Sequence, residues 1–76
     1  MPKISAIPAW KLRRIFEQAG FQCVRTEGDH FVFAKQGIAR PVVIPDWKDV
    51  PVFIIKNNLR TAGISRDEYF ALLESL

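Results

Sequence analysis

The residues that could perform chemistry are concentrated in the stretch RTEGDHFVFAK, residues 25–35. It contains His30, the only histidine of the 76-residue chain, directly after a Gly28-Asp29 turn. A histidine titrates near neutral pH and can therefore take up or release a proton during catalysis. The junction of a turn and a strand is also an ordinary place for a polar residue without catalytic work. From the local pattern alone, this second interpretation is favoured.

The other residues that could take part in catalysis or bind a metal are weak candidates. Asp29 and His30 are adjacent, and an extended backbone would direct their side chains apart, so we expect no dyad between them unless the turn rotates Asp29 back. Asp46 and Asp49 have no third ligand nearby in the sequence, and we predict no metal and no cofactor. Cys23 is the only cysteine, which excludes a disulfide framework and a cysteine-based zinc site. Its apolar surroundings predict a buried thiol.

The charge balance favours an anionic partner. The formal charge is +3 and the calculated pI is about 9.4, as in many small domains that bind nucleic acids. Two pairs of basic residues, Lys11 with Arg14 and Lys56 with Arg60, have helical spacing. A solvated helix face is the favoured interpretation of each pair, and contact with RNA phosphates is the alternative. Trp10 and Trp47 could stack on bases, although packing in the core or at the domain edge is favoured.

Three segments have the periodicity and the ends of helices. PAWKLRRIFEQAG has Pro8 in its first turn and Gly20 just past its end. PVFIIKNNLRTAG opens at Pro51 and closes at Gly63, and the S-x-x-E capping box at the start of SRDEYFALLESL opens the third helix. The inward stripes are predicted to be Leu12, Ile15, Phe16 and Ala19; Val52, Ile55, Leu59 and Ala62; and Tyr69, Leu72, Leu73 and Leu76.

Three strand-like segments, FQCVRT, HFVFAK and RPVVIP, lie between the first and second helices. The turns between them are short, which predicts an antiparallel meander, with Pro41 at an edge or a strand start. The order α-β-β-β-α with an extra short C-terminal helix predicts one two-layer α+β domain over residues 1–76, with its helices on one face of the sheet. If Phe31 and Phe33 face the helices, His30, Val32 and Ala34 face the open side, and the reverse register is the alternative. No apolar run is long enough to cross a membrane and the N-terminus lacks a signal-peptide core, so we expect a cytoplasmic protein.

Four features, in this order, resemble the HicA family of mRNA interferase toxins, also called YcfA-like proteins. They are QAGF at residues 18–21, R-x-x-GDH at residues 25–30, VVIP at residues 42–45, and LRTAGISRDEYFALL at residues 59–73. Two positions depart from the family pattern. Phe31 stands where many relatives carry a second histidine, which excludes a mechanism with two histidines. The second helix opens with PVFII where many relatives have Lys/Arg-Gly-Thr-Leu.

The resemblance implies a double-stranded-RNA-binding-domain-like fold and ribosome-independent cleavage of mRNA, with His30 essential and Gly28 supporting its turn. It also implies neutralisation by a HicB-type antitoxin from the neighbouring gene, in a hetero-oligomer that binds promoter DNA through the antitoxin. The basic residues that would contact RNA are Lys11, Arg14, Lys35, Lys48, Lys56 and Arg60, with Lys35 and Lys48 as candidates for charge stabilisation. Two alternatives remain open: a non-catalytic RNA-binding module of the same fold, and an interaction protein whose basic surface serves an acidic partner.

Overall fold

The chain folds as one helix, three strands and two further helices. The computed structural model describes residues 3–76. Its elements are α1 (Ala9–Gln18), β1 (Gln22–Glu27), β2 (His30–Ala34), β3 (Val42–Pro45), α2 (Val52–Ala62) and α3 (Arg66–Glu74). The strands form one sheet in the order β1-β2-β3, and both neighbouring pairs are antiparallel. The predicted α+β order, with its meander and extra C-terminal helix, is therefore confirmed. None of the described helices combines the length and the apolar character of a membrane span.

The two glycine-terminated helices end in the same way. Gly20, with φ +96°, donates from its N–H to the carbonyl of Glu17, and the N–H of Phe21 donates to the carbonyl of Phe16. These two bonds make a Schellman motif, and the rings of Phe16 and Phe21 pack edge to face at 5.4 Å, as the motif's hydrophobic contact requires. Gly63 closes α2 with the equivalent pair of bonds. Both ends were predictable because the motif depends on residues that are neighbours in sequence.

The helices cover one face of the sheet. Phe33 lies opposite Val42, and Phe31 lies opposite Ile44. These four residues pack against the core that the helices supply, where Leu12, Ile15, Phe16, Ile55 and Tyr69 are almost fully buried. Side chains alternate along a strand, so His30, Val32 and Ala34 lie on the opposite side, which we term the outer face. Of the two orientations that the sequence allows, β2 therefore has the one with Phe31 and Phe33 toward the helices.

Two predicted core residues are exposed instead. Cys23 lies on β1, an outer strand of the sheet with every residue exposed, so the prediction of a buried thiol was wrong. The irregularity in the pairing with β2 begins only after Cys23, which still lies opposite Phe33, so Cys23 is exposed because β1 is the edge strand and not because the alternation is lost. Leu76 is 41% exposed because α3 ends at Glu74, so the inward stripe of this helix does not reach the last residue.

Candidate active site

The turn between β1 and β2 fixes the position of His30. Gly28 adopts φ +58°, a left-handed conformation that costs glycine little. A Cβ atom at this position would meet nothing within 4 Å, so backbone conformation rather than space is the reason for glycine here. The carbonyl of Asp29 accepts a hydrogen bond of 2.7 Å from the N–H of Asp46. The turn is thereby fastened to the segment that follows β3, and the start of β2 is held from both sides.

Asp29 and His30 do interact. The Oδ1 atom of Asp29 lies 2.9 Å from Nδ1 of His30, so the predicted exception, a turn that brings Asp29 back, applies. Asp29 belongs to the turn and not to the strand, and the alternation of side chains along a strand does not apply to it. A carboxylate that accepts the Nδ1 proton leaves Nε2 as the nitrogen available for proton transfer. The side chains are 44% exposed for His30 and 65% for Asp29, so a large substrate can reach them.

A second charged pair shares the outer face with His30. Glu27 is the cross-strand partner of His30 on β1, and its Oε1 atom lies 3.1 Å from Nε of Arg25. Arg25 pairs across the ladder with Val32, which places its side chain on the outer face as well. One side of His30 therefore presents a carboxylate and a guanidinium, although the sequence analysis assigned neither of them a role.

A cleft lies on the other side of His30. The β3–α2 cleft has a volume of about 390 Å³, and its lining includes His30 with Pro45 of β3 and side chains of α2. Arg40 and Trp47 also line it, which brings a cation and an aromatic ring to the same opening as the histidine. Sequence reasoning missed Arg40 because this residue lies in a turn without periodicity, and only the packing of β3 beside α2 gives it its place.

Asn58 is the buried polar residue of the β3–α2 cleft. It is 5% exposed, and its amide nitrogen has no hydrogen-bond partner among residues 3–76. A buried polar group without a partner costs about 1–3 kcal/mol. The burial of Asn58 could have been predicted from the sequence, because this residue occupies an inward position between Ile55 and Ala62 on the apolar stripe of α2.

Lys35 and Lys48 do not line the β3–α2 cleft. Lys35 follows the far end of β2, where its ammonium donates a 2.8 Å hydrogen bond to the carbonyl of Ala19 at the end of α1. Lys48 lines a separate depression together with Trp10 and Trp47. Their role in charge stabilisation therefore stays a prediction.

The helical basic residues divide between two surfaces. Lys56 and Arg60 are exposed on α2, in a depression whose lining shares Ile54 and Asn57 with the β3–α2 cleft. On α1, Lys11 lies 5.6 Å from the ring of its neighbour Trp10, and Arg14 is exposed. The pair on α2 thus borders the histidine-containing cleft, and the pair on α1 does not line it.

The two tryptophans lie outside the core. Trp10 is 56% exposed and Trp47 is 42% exposed, so both lie at the domain edge, the second of the two packing positions predicted for them, and each has surface that a stacking partner can reach. Within the part of the chain that the structure describes, no group of three or more His, Cys, Asp and Glu side chains is arranged to hold a metal ion.

Comparison with known proteins gives a family. A family model described as the HicA toxin of bacterial toxin–antitoxin matches residues 10–64, which is more than half of the chain. The match runs from α1 through α2 and includes every residue that lines the β3–α2 cleft. No curated protein and no solved structure matches the chain significantly.

Proposed function

The chain belongs to the HicA toxin family of bacterial toxin–antitoxin systems, and from this premise we propose that it is an mRNA interferase that cleaves RNA without a metal ion and uses His30 for proton transfer. The observation that supports this most directly is the arrangement around His30. The imidazole is half exposed, is held through Nδ1 by Asp29, and shares the β3–α2 cleft with Arg40. A base, its orienting carboxylate and a cation therefore lie together.

RNA supplies its own nucleophile for this reaction. Nε2 of His30 takes the proton of the 2′-hydroxyl, and the 2′-oxygen attacks the adjacent phosphorus. The bond from phosphorus to the 5′-oxygen then breaks, which leaves a cyclic phosphate and a 5′-hydroxyl. The leaving oxygen receives a proton from an acid, which is the protonated His30, a water molecule or a lysine. We assign to Arg40 the stabilisation of the negative charge that develops on the phosphate oxygens, because a fixed cation lowers the energy of this charge in the transition state.

The RNA-binding surface extends from the cleft along α2. Lys56 and Arg60 border it and are the first candidates for phosphate contacts. The other basic residues lie outside the cleft and would contact RNA further from the cut; they are Lys11, Arg14, Lys35 and Lys48. Binding through phosphates predicts an affinity that falls steeply as salt is raised.

The partner of a toxin of this kind is an antitoxin, as the family description states for the system. We propose a HicB-type antitoxin that covers His30 and the basic surfaces, in a hetero-oligomer that binds promoter DNA through the antitoxin. We also propose that residues 1–76 act as one toxin domain in the cytoplasm, where the mRNA substrate is found. A short reading frame for the antitoxin directly beside this gene is the expected genetic arrangement.

Inducible expression of the wild type and of His30→Ala tests the activity, with growth and one defined mRNA followed together. The wild type is expected to arrest growth and degrade the message. His30→Ala should lower the cleavage rate by about 10²–10⁴-fold, the usual cost of losing a general acid or base. Thr26→Ala, an exposed change on the strand before the same turn, serves as the matched control. Equal behaviour of the wild type and His30→Ala would reject His30 as the catalytic group.

A non-catalytic RNA-binding module is the second candidate. The observation that favours it is the pair of exposed tryptophans, since aromatic stacking on bases needs no proton transfer. This alternative predicts RNA binding that is unchanged in His30→Ala and no cleavage by the wild type. A filter-binding titration of both proteins with the same RNA, alongside the cleavage assay, separates the two functions.

A further inference from the structure

We propose that the β3–α2 cleft is a base-recognition subsite: it takes one unpaired nucleobase beside the scissile phosphate, with Trp47 stacking on the base and Asn58 hydrogen-bonding to its edge. The inference rests on the proposed function, because it concerns how the same site selects RNA. It goes further in assigning a specificity-determining residue and in requiring unpaired RNA at the cut.

The position of the cleft supports this assignment. His30 lies in its lining, so a nucleotide bound there has its sugar and phosphate within reach of the imidazole. The volume of about 390 Å³ lies within the range of small-ligand sites. Arg40 lines the same cleft and can neutralise the phosphate of the bound nucleotide.

Asn58 supplies the chemical selectivity. It is 5% exposed, and among the described residues its amide nitrogen is one of the buried side-chain polar atoms without a hydrogen-bond partner, together with Arg13 Nε and the Tyr69 hydroxyl, neither of which lines the cleft. A side-chain amide donates through nitrogen and accepts through oxygen, which matches the mixed donors and acceptors along the edge of a base. Asn57 and Thr61 line the same cleft and add further polar groups. A base carbonyl is a suitable acceptor for the unpartnered N–H, whereas a purely apolar ligand would leave it unpaired.

Trp47 indicates that the base is unpaired. Its ring is 42% exposed at the lining of the cleft, where a base entering from outside can stack on it. A base within a duplex is stacked on both faces and already hydrogen-bonded along its pairing edge. Proteins recognise duplex RNA through its backbone and minor groove, and they read individual bases where strands are single. A base that both stacks on Trp47 and contacts Asn58 must therefore have left any helix.

The first experiment measures binding alone. Short unstructured RNAs carry each of the four bases at the cleavage position, with a 2′-deoxy sugar that removes the nucleophile and prevents cleavage. The chain has two tryptophans, so Trp47 becomes the single fluorescent reporter in a Trp10→Phe background. The expected result is quenching of Trp47 and a preference of about tenfold for one base over the least favoured one. A hairpin with that base in its loop should bind more tightly than one with the base paired in its stem.

Variants assign the preference to its residues. Asn58→Leu, of similar size, should reduce the base preference to about twofold or less, while the salt dependence of binding stays unchanged. Asn58→Asp keeps the shape, removes the donor and should change which base is preferred, so it tests the proposal even if Asn58→Leu does not fold. Trp47→Ala should weaken binding roughly tenfold, and its matched control is Trp10→Ala. Gln36→Leu, an exposed amide that is not part of the cleft lining, is the control for Asn58→Leu.

The outcomes separate this proposal from the proposed function. Base preference that is the same in the wild type and in both Asn58 variants, or equal binding of looped and paired bases, overturns the subsite. Loss of preference on uncleavable RNA supports it, whatever the cleavage rate. Absence of cleavage by the wild type on ordinary RNA, with base-selective binding intact, rejects the enzyme and retains the subsite.

Discussion

Replacing Asp29 by asparagine tests whether the carboxylate positions the imidazole of His30, which we propose to be catalytic. Asp29 Oδ1 accepts from Nδ1 of His30 at 2.9 Å, which is within hydrogen-bond range. In Asp29→Asn the side-chain amide can donate to Nδ1, and this favours the tautomer that carries its proton on Nε2. That tautomer cannot act as the base. We therefore expect slower cleavage with little change in RNA affinity.

The exposure of the pair limits the size of the effect. A buried aspartate–histidine pair of this kind loses about 10⁴-fold in rate when the aspartate becomes asparagine. Here the side chains are 65% exposed for Asp29 and 44% for His30, and exposed charged pairs contribute about 0.2–1 kcal/mol, or at most roughly fivefold. The lost interaction and the change of tautomer together should lower the single-turnover rate by roughly two- to tenfold. This is well below the loss of about 10²–10⁴-fold expected for His30→Ala.

The assay combines kinetics with nitrogen NMR. Single-turnover cleavage of a fluorogenic RNA gives the chemical rate, and titration with uncleavable RNA gives the affinity. Because His30 is the only histidine, its imidazole nitrogen signals are unambiguous and report the tautomer. Asp67→Asn, at an exposed acidic residue in the first turn of α3, is the matched control. An unchanged rate and tautomer in Asp29→Asn would refute positioning by Asp29. A loss as large as that of His30→Ala would mean that Asp29 itself takes part in proton transfer.

Three further predictions concern the frame of the site. Gly28→Ala places a side chain at φ +58° and should cost about 1 kcal/mol in the free energy of unfolding, whereas Gly28→Asn should cost less; equal urea denaturation curves for all three proteins would contradict this. Burial raises the pKa of Tyr69 above 10.0, because the folded state favours the neutral hydroxyl. The contribution of the neutral hydroxyl to stability is therefore complete below pH 10.0 and is lost as the pH rises through the folded-state pKa. The hydroxyl of Tyr69 has no partner among residues 3–76, so Tyr69→Phe should be at least as stable as the wild type at neutral pH. The variant should also lose part of the fall in unfolding free energy at alkaline pH, and urea denaturation at neutral and at alkaline pH will test both expectations. Ser65→Ala removes the capping box of α3 and should cost about 1 kcal/mol; a melting temperature equal to that of the wild type would show that the cap is dispensable.

The ends of the helices could be predicted because they depend on local chemistry. Gly20 and Gly63 terminate α1 and α2 through hydrogen bonds to residues within one turn. Ser65 and Glu68 make both bonds of their capping box. The orientation of β2 also depends on neighbouring residues, since Phe33 and Phe31 alternate with polar or smaller residues along a single short strand. In each case the residues that decide the structure lie close together in the sequence.

The site depended on contacts that the sequence does not show. Asp29 contacts His30 because Gly28 turns the backbone into a left-handed conformation, and strand alternation gives the wrong answer one residue before the strand begins. Arg40 joins His30 only because β3 packs beside α2. Lys35 is the opposite case. Its charge suggested a role near the histidine, but its ammonium donates a hydrogen bond to the carbonyl of Ala19 at the end of α1.

Two of the features that weaken this small domain lie together. A chain of 76 residues buries only a modest fraction of its surface, so each departure from good packing is a considerable part of its net stability. An unpartnered buried amide at Asn58 and an exposed ring at Trp47 are two such departures, and both line the cleft that holds His30. Other departures, such as the unpartnered hydroxyl of Tyr69 and the exposed side chain of Trp10, do not line this cleft. Local choices that oppose stability are expected where function requires them. Their meeting beside His30 supports the proposal that RNA is selected at the β3–α2 cleft and not at the outer face of β1.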